Sequence, residues 1–513
     1  MPKLAFSEAD TTIGTDVAII GAGISGLYCA WRLVREDPDV TVTILERLPR
    51  TGGRLDSDIV EIAPGEKVRE EQGGMRFNYE MEELMTLAKA LGLCDQIVHF
   101  PMGTPDMPNR RSIRGTTFTL KDAADSDQMI WSDLYDLEPQ EQGLSPTELV
   151  TIAYRNVLLA NGKPYRTGLT PDEWTEFRET CTWKGRPLTE WQMWGLLRDM
   201  GYSQDCVTML TETIGFAGPF KSLGNAGDAF QILADFPKDP TYFTFQRGFE
   251  TLPDAVEAQL RDGYGDRVRI ILSADVDRIT RDGEVFAIDY DQAPDRVNAR
   301  PKIATRPKRV EAAHVIISAA SKGAQDLFLR SPALRDADQA ERLWDALYAA
   351  LGMKLMKINL YFAKPWWQNT HTGRPPVRFG PNFTDMPVNA VYPFYSLPEG
   401  AAGDGDLSPI RDAAAALTIY CDFTNTNFWH GLQNVGPAFD SPLQREQTAK
   451  RPQVIFPASQ AVVVEARRQL ALLFGTNTVP EPVLTSYRLW DGDEDFSYAY
   501  HQWRLGVKDS DIR

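Results

Sequence analysis

Apolar positions near the start of the chain change period twice. Residues 17–20 form an unbroken apolar run of strand length, the next stretch carries apolar residues at helical spacing, and a second short run closes on Glu46. Strand, helix and strand in that order predict a nucleotide-binding βαβ unit. Farther on, residues 81–93 have helical spacing, and from 131 to about 235 the segments are amphipathic, with capping-box starts at Ser145/Glu148 and Thr170/Glu173. Stretch 268–290 holds three strand patterns, the last two joined by a turn at Asp282 and Gly283. Residues 312–321 read as an apolar strand ending in small residues, suited to a parallel sheet. Residues 353–362 alternate: Lys354, Met356, Ile358 and Leu360 point one way, and Leu355, Lys357, Asn359 and Tyr361 the other. A helix over 459–474 stops at Gly475, while 400–412 and 434–453 read as loops.

Chemistry enters with the glycines. Gly21, Gly23 and Gly26 give GxGxxG between the first strand and its helix; they permit a sharp turn, close approach of a pyrophosphate, and tight helix–strand packing. Glu46 follows Gly26 at the spacing where a carboxylate accepts hydrogen bonds from ribose hydroxyls. Two further glycine pairs, Gly52-Gly53-Arg54 and Gly73-Gly74-Met75-Arg76, imply a backbone pressed against more of a cofactor than adenosine and pyrophosphate. Arg54 would balance phosphate charge. Arg76 is the candidate clamp for a substrate carboxylate, which a planar guanidinium holds bidentately.

Composition narrows the classes. A chain of 513 residues, 43% hydrophobic, has length for two to four globular domains. The net charge of −17 argues against nucleic acid or an acidic membrane surface as partner. Five scattered cysteines without CxxC spacing indicate neither a disulfide framework nor a zinc site, and five histidines form no metal-ligand pattern. No signal peptide or membrane-length apolar run is legible, so a cytoplasmic location is expected of the chain as written.

GAGISGL, then E-x5-GGR, then GGMRF resembles the flavin-dependent amine oxidase family, and the GGMR segment is similar to its L-amino acid oxidase branch. The turn at Gly248 leading to Leu252 and Pro253 matches as well. The resemblance implies a mixed α/β architecture: a Rossmann-like FAD-binding domain from 1–75, 245–325 and 485–513, a β-sheet substrate domain from 76–130 and 326–484, and a helical domain over 131–244. It implies FAD held by Gly21, Gly23, Gly26, Glu46, Arg47, Gly53, Arg54, Gly74, Met75 and Arg76, with Val276 near the adenine. Arg76 would anchor the substrate carboxylate, and Tyr392 or Tyr395 would place a hydroxyl beside it. Lys357, or alternatively Lys354, would hydrogen-bond a water near flavin N5 and assist reaction with oxygen, and Trp490 would wall the site.

The activity so implied is oxidative deamination of L-amino acids, with apolar or aromatic side chains favoured, to a 2-oxo acid, ammonia and hydrogen peroxide. An amino acid 2-monooxygenase, an amine or polyamine oxidase, and a flavin-empty binding scaffold are the alternatives. Homodimers or larger assemblies are usual in the family. Family members also follow the Trp490 region with a strand and helix that close over the flavin; a separate C-terminal fragment or omitted residues are expected to supply them.

Overall fold

The computed structural model describes residues 12–103, 108–234, 241–292, 308–370, 376–396, 412–450, 455–492 and 497–512. The opening pattern folds as predicted, into β1 (Thr12–Ile20), α1 (Ile24–Glu36) and β2 (Val42–Leu45). β1 runs parallel to β2, with Val17 opposite Val42, and on its other side parallel to the strand Lys308–Ile317. The six-stranded sheet has the order Val268–Ile271, β2, β1, Lys308–Ile317, Val285–Gln292, Ala274–Asp282. Its last three members form an antiparallel meander, turning at Gly283 with φ of 62°. Leu27, Ala30, Trp31 and Val34 of α1 pack on Ile19 and Ile44 together with Val256 and Leu260 of the helix Thr251–Tyr264. Each Leu, Ile or Val side chain so buried contributes about 1.5–3 kcal/mol.

The strand expected over 312–321 begins earlier, at Lys308. Its first half pairs with the meander as well as with β1, which gives it polar residues that an apolar run does not announce.

A seven-stranded sheet forms the second body, in the order Leu484–Trp490, Leu355–Phe362, Ala415–Asp422, Ala390–Tyr395, Asn382–Thr384, Arg110–Ile113, Thr116–Thr119. Directly opposed residues share a face, and faces alternate along each strand. Lys357 stands opposite Tyr420 and Arg488, Asn359 opposite Thr418 and Ser486, and Leu355 opposite Asp422 and Trp490. Tyr392 pairs with Thr418, so all of these lie on one largely polar face. The other face carries Met356, Ile358, Leu360, Ile419, Cys421 and Tyr395, packed against Val462, Val463, Ala466 and Leu470 of the helix Gln460–Phe474.

The hairpin β3 (Ser57–Ala63) and β4 (Glu66–Glu71) leaves the nucleotide-binding body and lies on the polar face, where Val68 bridges to Ser396. Residues 484–490, the first of which was expected in the substrate domain and the rest in the nucleotide domain, pair with Leu355–Phe362 in the second sheet. A strand's pairing partner is a long-range choice that its own alternation does not encode.

Helices dominate the segment between the sheets, and both expected capping boxes are present. Trp131, Tyr154, Trp174, Phe177 and Phe230 share one core there, in keeping with a packing role for its aromatics. Helical structure starts before residue 131, at Leu120–Asp125 behind a Thr119/Asp122 box. The loop expected over 434–453 contains the helix Pro442–Lys450. That helix buries Gln444 and Gln447 rather than apolar residues, and so shows no hydrophobic period. The loop expected over 400–412 lies outside the described residues except for Asp412.

Candidate active site

The glycine turn after β1 is shaped by contact. A Cβ on Gly26 would fall 2.0 Å from the Gly21 carbonyl oxygen, and one on Gly53 would come 3.1 Å from the Gly23 Cα. The second glycine pair therefore closes on the first, and Gly52 donates its N–H to the Ala22 carbonyl at 3.0 Å. α1 begins at Gly23 with no side-chain cap and no acidic residue in its first turn. Uncapped N–H groups at the positive end of a helix suit an anion such as a pyrophosphate.

Glu46 ends β2 with its carboxylate accepting from Ala22 N–H at 2.7 Å and from Leu48 N–H at 2.8 Å. Burial pushes its carboxyl up against those bonds. Arg47 is exposed, Arg54 is also exposed and donates to the Ala499 carbonyl at 3.0 Å, and Val276, on the outer strand of the meander, is buried with Ile279 and Ile288. Ala274, two residues before Val276, donates to the Glu46 carbonyl at 2.8 Å, so the meander reaches the Glu46 end of the cradle. These groups fit a dinucleotide: an uncapped helix start, glycines in mutual contact and an acid at the end of the second strand.

Beyond the cradle, the chain reaches residues 70–76. Lys357 Nζ donates to the carbonyls of Glu71 at 2.8 Å and Gly73 at 2.6 Å, and Trp490 Nε1 donates to the Gln72 carbonyl at 2.8 Å. Three successive carbonyls are thus gripped by the polar face of the second sheet. Gly74 stands exposed directly after them, Met75 turns into the core with Tyr392 and Phe100, and Arg76 follows, partly buried.

Arg76 donates from Nη1 to the Tyr392 hydroxyl at 3.2 Å. Its guanidinium lies 4.8 Å from the Tyr242 ring, 5.5 Å from Tyr392 and 5.7 Å from Phe100. Among the described residues no carboxylate pairs with it. A guanidinium in an aromatic box without a protein anion is placed to receive an anionic ligand group.

Register separates both pairs of alternatives. Tyr395 is an odd number of positions from Tyr392 and points to the other face, where it meets Trp367. Lys354 lies just outside the strand, 3.9 Å from Asp491 and half-exposed, whereas Lys357 is 2% exposed.

Lys357 sits in an acidic layer. Burial pulls its ammonium down to about 8, against the pull upward of Glu71 and Glu70. Glu71 is itself pushed up to about 7 by burial, although Ser57 Oγ and the Phe249 N–H donate to it. Glu70 is raised further by burial and by Asp58, its direct partner across the hairpin. Gln72 Nε2 donates to both, at 2.7 Å to Asp58 and 3.0 Å to Glu70, and the Tyr361 hydroxyl donates to Glu70 at 2.5 Å.

Sequence reading missed Tyr420, Tyr242, Phe100 and this acid layer. Tyr420 carried the signal that singled out Lys357: Thr418, Tyr420 and Asp422 are the polar alternates of an otherwise apolar strand.

A dinucleotide cradle meeting a polar sheet face, with a buried lysine and an arginine that has no carboxylate partner among the described residues, fits a flavin-dependent oxidoreductase. The chain belongs to the flavin containing amine oxidoreductase family, whose profile matches residues 24–410. Among solved structures, wild-type putrescine oxidase bound to putrescine aligns with a TM-score of 0.57 over 96% of this chain and 89% of that one, at 16% identity. A protein of Exiguobacterium sp. 255-15 assigned as a protoporphyrinogen oxidase aligns at 0.53 over 96% and 88%, with 13% identity. Both share the fold.

Among curated proteins, an uncharacterised protein of Acanthamoeba polyphaga mimivirus is 30% identical over 156 residues, covering 29% of this chain and 30% of that one. Coproporphyrinogen III oxidase of Staphylococcus aureus is 45% identical over 53 residues, 9% of this chain and 11% of that one. The matched stretches span less than a third of either relative.

Proposed function

We propose that this protein oxidises L-amino acids at Cα with FAD as cofactor, giving the 2-oxo acid and ammonia and passing the electrons to oxygen as hydrogen peroxide. The observation that carries the reading is the aromatic-walled Arg76, whose one hydrogen-bonding side-chain partner among the described residues is the Tyr392 hydroxyl. Arg76 and Tyr392 would hold the substrate carboxylate, fixing the position of Cα–H. FAD in the cradle would supply the two-electron acceptor for that bond. Hydrolysis of the resulting imino acid consumes one water, and reduction of one oxygen to peroxide balances the two electrons removed.

Lys357 is positioned from the second sheet, its ammonium brought by burial to about 8, within reach of a protonation change near neutrality. With two of its donors engaged by carbonyls, it has one position left for a water. The aromatic surround favours apolar and aromatic side chains over charged ones.

Anaerobic mixing of the flavin-loaded protein with L-phenylalanine, D-phenylalanine and 2-phenylethylamine tests the proposal. Bleaching of the flavin bands by the L-amino acid alone is expected. Equal bleaching by 2-phenylethylamine would refute the carboxylate clamp and favour a simple amine oxidase, and an amide product in air would make the enzyme a monooxygenase.

A further inference from the structure

Residues 215–218 leave the helical region and cross to the polar face of the second sheet, where side chains of that sheet tie them down. Asn389 donates from Nδ2 to the Gly215 carbonyl at 2.8 Å. Asp422 accepts from the Ala217 N–H at 3.2 Å and from the Gly218 N–H at 2.8 Å. Asn389 is 6% and Asp422 1% exposed. A Cβ on Gly218 would meet Met353 Cε at 2.6 Å, the Tyr500 hydroxyl at 2.8 Å and Asp422 Oδ2 at 3.1 Å, so the segment is seated as closely as a backbone can be.

Phe216 is the side chain this seating presents. Its ring stands edge-on to Tyr420, with centroids 5.4 Å apart at 86°, and 6.5 Å from Tyr500. Tyr420 in turn lies 6.3 Å from Tyr392, the partner of Arg76. An aromatic row therefore runs from the guanidinium in the order Tyr392, Tyr420, Phe216, Tyr500, the last from the strand Tyr500–Trp503 that pairs with Ala350–Met353. The first two rings belong to the sheet, and Phe216 is the one contributed by the inserted helices.

We propose that Phe216 determines side-chain specificity: with Tyr420 it forms the wall against which an aromatic substituent of the substrate packs, while Asp422 and Asn389 are positioning residues that hold it in place. This rests on the reading of Arg76 as the carboxylate clamp. Edge-to-face rings gain stability beyond the area they bury, so an aromatic substituent is preferred to an aliphatic one of similar reach. Asp422 reaches the substrate only through Phe216. Loss of an N–H bond at Ala217 or Gly218 frees the loop and weakens the preference without altering the clamp.

Calorimetric binding of 3-phenylpropanoate and of propanoate to the flavin-loaded protein tests this without turnover. The wild type is expected to prefer the phenyl compound, and Phe216→Ala to reduce that preference by about 5- to 10-fold. Phe216→Tyr should retain it, and Asp422→Asn should lower it in the same direction, with a matching rise in KM for L-phenylalanine relative to L-alanine. Should Phe216→Ala fail to fold, Phe216→Leu keeps most of the apolar bulk and removes the ring, and the same loss is expected. An unchanged preference in a folded Phe216 variant overturns the proposal while leaving the Arg76 reading intact. If neither carboxylate binds the wild type, both fall together.

Discussion

Lys357 Nζ lies 2.6 Å from the carbonyl oxygen of Gly73, three residues before Arg76. The lysine of the second sheet therefore grips the segment that carries Arg76, and both are fixed by one backbone stretch. Replacing Lys357 with Met removes two bonds to carbonyls but also a buried charge. Orphaned carbonyls cost about 1–3 kcal/mol each, and removal of a desolvated cation returns a comparable amount, so the melting temperature should change little. Reoxidation of the reduced protein by air should slow about 100-fold or more, the scale of a lost general acid–base group. Stopped-flow mixing with oxygen checks it, and normal reoxidation would remove Lys357 from the reaction.

Tyr392→Phe tests the other half of the proposed carboxylate clamp. The substitution keeps the ring against Arg76 and removes the hydroxyl 3.2 Å from its Nη1. A lost hydrogen bond to a charged group is worth about 1.5–3 kcal/mol, so kcat/KM for an L-amino acid should fall by about 10-fold or more. Binding of 2-phenylethylamine, which has no carboxylate, should be unaffected. Equal losses for both compounds would place the hydroxyl elsewhere in the reaction.

The nucleotide-binding half was legible because its signals are local. Gly21, Gly23, Gly26 and Glu46 sit within one βαβ unit, whereas the alternation around Lys357 set it on the face opposite Lys354 without saying which of the two faces the site. Tyr392 and Tyr395 could not be separated until the strand Ala390–Tyr395 had a paired register, since strand parity alone gives two faces without saying which is which. The Phe216 loop was illegible for a different reason: its partners Asn389 and Asp422 lie more than 170 residues away. The helix Pro442–Lys450 was hidden by glutamines that pack where apolar residues usually do.

Gly53→Ala probes the cradle. Gly53 has φ of 60° and faces the Gly23 Cα closely enough that a methyl group would sit 3.1 Å from it. Left-handed backbone costs a non-glycine residue about 1–2 kcal/mol, and relief by separating the two glycines would spoil the approach to a pyrophosphate. The variant should fold yet lose flavin on gel filtration. Full retention of the yellow colour would show that this contact does not shape the cofactor site.

Glu71 makes a prediction about pH whose sign can be worked out. Its carboxyl is raised from 4.5 to about 7, mainly by burial, so between those values the folded protein holds a proton that the unfolded chain has released. The stability it contributes is complete below about 4.5 and is lost as pH rises to about 7. Asp228 and Asp422, each raised to about 6 by burial, act in the same direction. Lys357 is lowered from 10.5 to about 8; above 8 the unfolded chain binds the extra proton, so its share of stability rises with pH up to about 10.5. Melting temperature should therefore fall from pH 5 to 7, and part of that fall belongs to Glu71. In Glu71→Gln the amide can still accept from the Phe249 N–H and donate to Ser57 Oγ, replacing the bonds at 3.1 and 2.5 Å. The variant should match the wild type at pH 5 and exceed it at pH 7.5. Repulsion from the net charge of −17 lowers stability with rising pH in both proteins, so only the difference between their two curves reports on Glu71. Parallel curves would mean that Glu71 is already ionised in the folded protein at pH 5, with the surrounding cations outweighing its burial.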